Sequence, residues 1–536
     1  MLFKLSERLL SVKTTLKVRQ LYAIHVIQVH DFSDRKQESY FSAIGGHTDE
    51  PPPDLSPQQV NTILRTNETT ISKSISTIRH IECNQLASNH PIEDRLRISK
   101  FHFNCSHSSN TCLSDSIAFA VFDGHGGGSC ADLISRRLFH YIALSLNPSP
   151  QSYDKNQLNS LVEDLYYCPN PYYNITHKYE DRAAEYLKKY LNESEQQILS
   201  KFTKELKPTT DISIALENAF LRCDNDLSEE IEHNLLSSSS NILLHYYLSL
   251  AVSGCCVSLV LIHQNTAYIA STGDCRAVLG LNNSSKTKTS VKTIDLSKEH
   301  NSDNISELKR VLSEHPKSEQ NNIIRNERLL GQLMPLRAFG DFSFKWTIDK
   351  LKRLGLTRAF GSHVIPSYYM TPPYLTCKPE IEVMPLKDIE ENKRKFIILA
   401  TDGLWDHFEA NRKVVKCVNK YLETVDKQTS NESINGIDFE ENTSLVEITD
   451  KLKGRAKPAV TSFDEITRFD DLTEDTNSAT HLIRTALGEI PSSDHNLDQY
   501  QQQLQRHTRL VTYLTLPQSV VRNFRDDISL IVIDLK

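Results

Sequence analysis

Glycine is scarce in this chain, which has only 17 glycines among its 536 residues. Its eleven cysteines are scattered, and none of them forms a Cys-x-x-Cys pair or an evenly spaced set. This spacing argues against a cysteine-based zinc site and against a domain built on disulfides. We therefore expect reduced thiols in a reducing compartment.

Long apolar runs and an excess of positive charge are also missing. No apolar stretch reaches the roughly 18 residues that span a bilayer, so we expect no membrane span. The formal net charge is -7, whereas binding nucleic acid without regard to sequence needs a basic surface. We therefore expect no nucleic-acid partner.

The first 54 residues differ from the rest of the chain. Residues 1–30 are basic and poor in acids, with Glu7 as their single carboxylate, which is typical of a mitochondrial transit peptide. An ordinary basic surface helix is the alternative. Residues 31–54 are polar and contain three consecutive prolines, which predicts a linker. A single folded domain is then expected to occupy residues 55–536.

Hydrophobic spacing predicts alternating strands and helices in that domain. Helices are predicted at 130–146, 211–227 (with Asp211 as its N-cap), 302–315, 412–422 and 477–488. Strands are predicted at 116–124, at the start of 395–408, at 526–535 and, as an antiparallel meander of three runs, within 248–282. The polar stretches 150–207 and 424–475 are predicted to be surface insertions. This order of elements indicates packed sheets that are covered by helices on both outer faces.

Four of the few glycines fall within five positions, 124–128, directly after Asp123. Glycine allows a backbone to approach a ligand closely and to adopt conformations that other residues avoid. Asp123 ends an apolar run, Asp402 ends another, and Asp526 precedes a third. If these strands lie side by side, their carboxylates meet at one edge.

Converging carboxylates repel each other unless a cation lies between them. Oxygen ligands without a histidine or cysteine cluster favour Mg²⁺ or Mn²⁺ over zinc. A further acidic pair, Glu93 and Asp94, belongs to the same hypothesis. The alternative is that each Asp-Gly is an ordinary turn, because spacing alone does not establish that the carboxylates converge.

Five motifs carry a resemblance to a known family. They occur in the order seen in the metal-dependent protein serine/threonine phosphatases of the PPM (PP2C) family, which the chain resembles from about residue 84 to 536: AFAVFDGHGG, STGDCRAVLG, RAFGD, LATDGLWD and RDDISLIVI. The resemblance implies an α+β fold, a central antiparallel β-sandwich flanked by α-helices on both faces. It also implies protein phosphatase activity.

The resemblance further implies a centre for two Mg²⁺ or Mn²⁺ ions, with a weaker third ion in some members. Asp123 matches the aspartate that bridges both ions, and the carbonyl of Gly124 matches a ligand of the first. Asp402 and Asp526 match ligands of the second ion, and Asp274 matches a residue that helps to bind the third.

The catalytic residues implied by the resemblance are Glu93, Asp94 and His125. Glu93 and Asp94 match the acidic pair that holds metal-bound waters. His125 matches the general acid that protonates the leaving seryl oxygen, and a turn histidine is the alternative. The implied nucleophile is metal-activated water, so no phosphoenzyme is expected.

Segments outside these motifs resemble one branch of the family, the pyruvate dehydrogenase phosphatases; they include 84–95, 328–346 and 477–484. This implies an enzyme of the mitochondrial matrix that removes phosphate from the pyruvate dehydrogenase E1 α subunit and so reactivates the complex. In some relatives Ca²⁺ promotes docking to the inner lipoyl domain of the E2 core, and a regulatory subunit modulates the enzyme. The alternatives are a family member with another phosphoprotein substrate and an inactive scaffold.

One departure from the family concerns the substrate phosphate. Asn89 stands where many members have a phosphate-binding arginine, and Arg95 or Arg97 is a candidate replacement. Cys130 and Cys275 lie near motif residues. We expect them to be small core thiols, with oxidation sensitivity as the alternative.

Overall fold

The computed structural model describes residues 55–72, 77–104, 113–146, 160–167, 181–205, 209, 211–282, 291–387, 394–434, 475–489 and 498–536. The predicted transit peptide (1–30) and linker (31–54) lie outside these ranges, as does most of the polar stretch 424–475. Within the described part, no helix has the length and apolarity needed to cross a membrane.

The strands are short and follow the apolar runs of the sequence. In chain order they are β1 (Thr69–Ile71), β2 (Ile78–Leu86), β3 (Arg95–Asn104), β4 (Leu113–His125), β5 (Val162–Tyr167), β6 (Gly254–His263), β7 (Thr266–Thr272), β8 (Arg276–Asn282), β9 (Val291–Asp295), β10 (Ile324–Arg325), β11 (Arg328–Leu329), β12 (Phe339–Gly340), β13 (Glu380–Pro385), β14 (Lys395–Ala400) and β15 (Ile528–Leu535).

Most of these strands form two antiparallel sheets. The first has six strands in the order β1-β2-β15-β14-β8-β9, and the second has seven in the order β13-β7-β6-β4-β3-β5, with β12 paired to β6. Strands β10 and β11 form a separate hairpin. One apolar cluster contains side chains from both sheets, such as Phe119 of β4 and Ile531 of β15, so the sheets pack face to face.

The helices are, in chain order, α1 (Pro57–Leu64), α2 (Ser129–Leu146), α3 (Asp181–Glu205), α4 (Ile212–Ser237), α5 (Asn241–Val252), α6 (Ile305–Ser313), α7 (Gln320–Ile323), α8 (Ile348–Arg353), α9 (Leu356–Phe360), α10 (Asp402–Trp405), α11 (Asn411–Ile434), α12 (Ser478–Gly488) and α13 (Gln499–Thr515). Three 3₁₀ turns lie at Phe342–Phe344, Ser362–Val364 and Val521–Asn523. Asp211 caps α4, as the sequence predicts, by accepting hydrogen bonds from Ser213 N and Ile214 N.

Helices cover both outer faces of the sandwich. Helices α2 and α4 join the main core beside the seven-stranded sheet. A second apolar cluster lies on the outer face of the six-stranded sheet, where Val414 and Val418 of α11 and Leu482 of α12 meet Phe396 and Ile398 of β14. The α+β sandwich predicted from the sequence is therefore confirmed.

Two sequence predictions are wrong in detail within 248–282. Residues 248–252 end helix α5 and are not part of a strand. The prediction failed because the apolar pattern of a short run does not distinguish a buried helix from a buried strand. Strands β6 and β7 pair as predicted, but β8 lies in the other sheet beside β14. The chain crosses between the sheets at Gly273 and Asp274.

The stretch 150–207 is also more than a surface insertion. It contributes β5, which pairs with β3, and α3, which buries Leu187, Leu191, Leu199 and Phe202. These apolar residues recur at helical spacing among many charged ones, so the average composition of the stretch conceals its buried face.

Candidate metal centre

Three carboxylates meet at one end of the sandwich. Asp123, Asp274 and Asp402 each offer an oxygen atom that lies within 4.8 Å of the other two. Asp123 belongs to the end of β4, Asp274 lies between β7 and β8, and Asp402 begins α10 directly after β14. The antiparallel register places Ala400 at the end of β14 opposite Arg276 at the start of β8. Strand pairing thus brings together residues that are far apart in the chain.

Burial and mutual repulsion act together on this trio. Burial raises the pKa of Asp123 well above its usual value, and the charge of Asp402 raises it further. The same two causes raise the pKa of Asp274 to about 7. Without a cation, Asp123 therefore favours the protonated form, and a divalent cation would displace this proton on binding.

The donor set fits Mg²⁺ or Mn²⁺. The Oδ2 atom of Asp123 and the Oδ1 atom of Asp402 are buried and have no hydrogen-bond partner among the described residues. A buried polar atom without a partner is costly, and a hard cation coordinated by carboxylate oxygens would satisfy both atoms. Sequence spacing could not establish that carboxylates converge here. In the structure, the carboxylates of Asp123, Asp274 and Asp402 do converge.

Gly124 is required by a close approach of two backbone segments. A Cβ at this position would overlap with the carbonyl oxygen of Glu93. This packing fixes the segment before β3 against the end of β4, so Glu93 and Asp94 lie beside the trio. The role of the Gly124 carbonyl as a ligand stays a prediction.

Asp94 is almost fully buried next to the trio. Its Oδ2 accepts a hydrogen bond from Thr401 Oγ1 at 3.0 Å, and Thr401 directly precedes Asp402. Burial raises the pKa of Asp94 well above its usual value, and the charge of Asp527 adds to the effect. The carboxylate of Asp94 is therefore electrostatically part of the same acidic centre.

Asp526 lies beside the trio. Among the described residues, its carboxylate does not belong to the group of oxygens that lie within 4.8 Å of one another. Its carboxylate forms an ion pair with Arg522, one turn earlier. Its Cβ lies close to Gly403, the residue after Asp402. The assignment of Asp526 as a metal ligand stays a prediction, which this position supports.

Asp527 is a structural residue that the sequence interpretation did not single out. Its carboxylate accepts hydrogen bonds from the backbone N–H groups of Ser88 (2.5 Å), Asn89 (2.8 Å) and Glu93 (2.8 Å), and from the Asn89 side chain (3.0 Å). It therefore holds the 88–93 loop against the start of β15. The consecutive aspartates of the RDDIS motif were the available signal, and the carboxylate of the second one binds the loop.

Asp341 is the second residue that was missed. It ends the RAFGD motif, and its Oδ2 lies 2.6 Å from Nε2 of His125. Burial lowers the pKa of His125, but the charge and hydrogen bond of Asp341 outweigh this, and the net pKa is raised. Asp341 therefore favours the protonated imidazole, which is the form that a general acid needs.

The His125–Asp341 pair is held rigidly. Asp341 N donates to Ser253 O at 2.9 Å, and the preceding Gly340 N donates to Asp224 Oδ1 at 2.8 Å. Asp224 also accepts from Lys345 Nζ at 2.8 Å. His125 is thus a half-buried histidine at the end of β4 that Asp341 orients, and its role as the general acid stays a prediction.

Gly254 gives a direct test of this pair. It lies opposite His125 in the sheet, and a Cβ there would overlap both with Asp341 Oδ2 and with His125 Nε2. We expect Gly254→Ala to separate the two side chains and to lower kcat about 10²-fold, the cost of misplacing a catalytic group by about 1 Å. Steady-state kinetics would measure it.

The matched control is Gly488→Ala, because a Cβ at the end of α12 meets only ordinary contacts of 3.7 Å. The control should keep wild-type kcat. A Gly254→Ala protein that folds normally and also keeps wild-type kcat would contradict the role of the pair.

Neither arginine proposed for the substrate phosphate is available. Arg95 is buried and donates from Nη1 to the carbonyls of Ile92 (2.9 Å) and Asp94 (2.6 Å). Arg97 is also buried and donates to Asp164 Oδ1 at 2.9 Å. Both suggestions are wrong, because each guanidinium is committed to holding the protein together.

The cysteines near the centre are core thiols. Cys130 and Cys275 are buried, and burial raises the pKa of both thiols well above its usual value. Since the thiolate is the reactive form, their burial supports the prediction of small core thiols over the alternative of oxidation sensitivity. Every cysteine in the described part of the chain is a free thiol.

Comparison with known proteins identifies what the chain resembles. Residues 170–435 match the protein phosphatase 2C family model. The chain is 35% identical over 505 residues to human mitochondrial pyruvate dehydrogenase (acetyl-transferring) phosphatase 1, covering 89% of this chain and 83% of the relative. The human mitochondrial phosphatase 2 is 32% identical over 502 residues, with the same coverage.

A similarity to a solved structure was also found. The serine-threonine phosphatase 2C from Toxoplasma gondii aligns with 87% of this chain and 99% of its own, at 14% identity and a TM-score of 0.39.

Proposed function

This chain belongs to the protein phosphatase 2C family, and from that premise we propose that it hydrolyses phosphoserine on the pyruvate dehydrogenase E1 α subunit in the mitochondrial matrix. The observation that carries the proposal is the trio of Asp123, Asp274 and Asp402 beside the His125–Asp341 pair. Such a constellation combines a divalent-metal site with a proton donor, which are the two requirements of phosphomonoester hydrolysis by water.

The residues that would hold Mg²⁺ or Mn²⁺ are Asp123, Asp402, Asp526 and the Gly124 carbonyl, with Asp274 toward a third ion. Bound metal supplies charge neutralisation of the phosphoryl group and a water of lowered pKa. Glu93 and Asp94 offer further carboxylate oxygens that can accept hydrogen bonds from water in the centre.

His125 performs the proton transfer that the leaving group requires. A seryl alkoxide is a poor leaving group, so its oxygen must receive a proton as the bond to phosphorus breaks. Asp341 is hydrogen-bonded to Nε2 of His125, so Nδ1 is the ring nitrogen that would carry the transferred proton. After the transfer, the neutral imidazole keeps its Nε2 proton, which it donates to Asp341, and Nδ1 takes up the next proton from solvent.

The relatives support the choice of substrate. Two mitochondrial pyruvate dehydrogenase phosphatases are 35% and 32% identical across most of their length. Docking to the E2 lipoyl domain, promotion by Ca²⁺ and a regulatory subunit are further parts of the proposal that follow from the same resemblance. The predicted transit peptide supports the matrix, and a fluorescent fusion of residues 1–40 that stays in the cytosol would contradict it.

A two-substrate comparison tests the proposed function. The full chain is incubated with phosphorylated E1 α and, separately, with an unrelated phosphoseryl protein at the same concentration, and phosphate release is measured. We expect kcat/KM to favour E1 α by at least tenfold. Equal kcat/KM values for the two substrates would indicate a phosphatase of this family that acts on other phosphoproteins. No phosphate release from either substrate would favour the inactive scaffold.

A further inference from the structure

The acidic centre poses a problem for its substrate. A phosphoseryl group carries close to two negative charges near neutral pH, and at this site it must approach several carboxylates. Metal ions offset part of the repulsion. An arginine can offset more and can also orient the phosphoryl oxygens, because its planar guanidinium donates two parallel hydrogen bonds.

Three of the arginines next to the centre are already committed. Arg95 holds two carbonyl groups, as described above. Arg525 is buried, with Nη1 donating to Ser88 Oγ at 2.5 Å and Nη2 to Ala87 O at 2.8 Å. Arg276 donates to Glu299 at 2.7 Å and to Asn411 at 2.9 Å, and it packs over the ring of Trp405. The amide of Asn89 is bound to Asp527.

Arg522 differs from these three in its exposure and in its partner. It lies in the 3₁₀ turn that leads into β15, and 39% of its side chain is exposed. Its ion-pair partner is Asp526, a predicted metal ligand. Asp526 in turn lies beside Asp402, because its Cβ is close to Gly403, the residue after Asp402. The guanidinium thus lies at the open side of the centre.

We propose that Arg522 is the phosphate-recognition residue of this centre, with its guanidinium bridging the Asp526 carboxylate and the phosphoryl oxygens of the substrate. This inference rests on the proposed function, because it assumes a phosphoester at the metal centre. Pairing with Asp526 holds the guanidinium in place, and its exposed side leaves N–H groups for the ligand. Arg522, in the turn before β15, would in this way supply the arginine that many family members carry at the position of Asn89.

The competing role for Arg522 is purely local. It would then neutralise Asp526 and influence metal binding without touching the substrate. The two roles differ in what they predict for inorganic phosphate, the reaction product. A phosphate-binding residue alters phosphate affinity, whereas a partner of Asp526 alters only the metal requirement.

The test compares wild type with Arg522→Gln, Arg522→Lys and the remote control Arg353→Gln. Arg353 is an exposed arginine that pairs with Glu232, far from the centre in the fold. Inorganic phosphate is used in two ways: as a product inhibitor of phosphate release from a phosphoseryl peptide, and as a titrant in calorimetry of the Mn²⁺-loaded protein. The Mg²⁺ concentration for half-maximal activation is measured alongside.

We expect Arg522→Gln to raise the Ki and Kd for phosphate about 10- to 100-fold, the cost of losing a hydrogen bond to a charged group. Arg522→Lys should fall between this variant and wild type, because lysine keeps the charge but lacks the fork. Arg353→Gln should match wild type. A phosphate Kd within twofold of wild type in Arg522→Gln overturns the proposal, whatever happens to the Mg²⁺ requirement.

Calorimetry keeps this inference separate from the proposed function. If wild type releases no phosphate from any substrate, the proposed function fails, and phosphate binding to the Mn²⁺-loaded protein still decides the role of Arg522. If wild type is active but the variant binds phosphate normally, only the inference about Arg522 fails.

Discussion

Asp402→Ala should abolish phosphate release and leave the metal-free protein as stable as wild type, or slightly more stable. Asp402 is the residue whose charge, after burial itself, most raises the pKa of both Asp123 and Asp274. Its removal relieves repulsion within the acidic centre, and it also removes a carboxylate that the metal needs. Phosphate release and thermal unfolding in EDTA measure the two effects.

Adding Mg²⁺ should increase the difference in thermal stability between wild type and Asp402→Ala. It binds only the folded wild type and should raise its melting temperature, by an amount that corresponds to about 2.7 kcal/mol at a concentration of 100 Kd. Asp402→Ala should show no such shift. Asp349→Ala is the matched control, since Asp349 is an exposed carboxylate in the first turn of the short helix α8. Activity of Asp402→Ala near the wild-type level at low Mg²⁺ would refute the metal assignment.

His125→Ala should lower kcat for a phosphoseryl substrate by about 10²- to 10⁴-fold, the usual range for a general acid. The loss should be much smaller with p-nitrophenyl phosphate, because p-nitrophenolate departs without a proton. Asp341→Asn should act in the same direction with a smaller effect, since it leaves the imidazole in place and removes the charge that favours its protonated form. The ratio of kcat values for the two substrates reports the proton transfer.

The pH profile distinguishes Asp341 from a residue that only supports the fold. A general acid must be protonated, so activity falls as pH rises through its pKa. Asp341 raises the pKa of His125, so Asp341→Asn should move this fall to lower pH.

His481→Ala is the control, because His481 forms a comparable pair with Asp475 on the outer helix α12, at 3.3 Å. Equal losses with both substrates, and an unshifted profile, would mean that His125 is not the acid.

The sequence predicted the parts of the centre that depend on local pattern. Asp123 and Asp402 could be identified because each follows a run of apolar residues that ends in Asp-Gly, and the sheet periodicity placed them at strand ends. The five ordered motifs then supplied Asp274, which no apolar pattern distinguishes from an ordinary turn aspartate. Helices such as α2 and α12 were equally accessible, because their apolar residues recur at helical spacing.

The remaining features depend on contacts between distant segments. The His125–Asp341 pair joins residues 216 positions apart and exists only because Gly254 leaves room between them. Asp527 could not be distinguished from Asp526 in the sequence, although Asp527 holds the 88–93 loop while Asp526 pairs with Arg522. The position of β8 in the other sheet also depends on packing between distant segments. Its apolar residues would be buried in either sheet, so the sequence pattern does not say which sheet it joins.

We expect this chain to release phosphate only when a divalent metal occupies the centre around Asp123 and Asp402, and the metal dependence of turnover tests this claim most directly. The full chain is stripped with EDTA, assayed on a phosphoseryl peptide, and assayed again after excess Mg²⁺ or Mn²⁺ is added. We expect no release from the stripped protein and full recovery with either ion. Release that continues undiminished in EDTA would contradict the account.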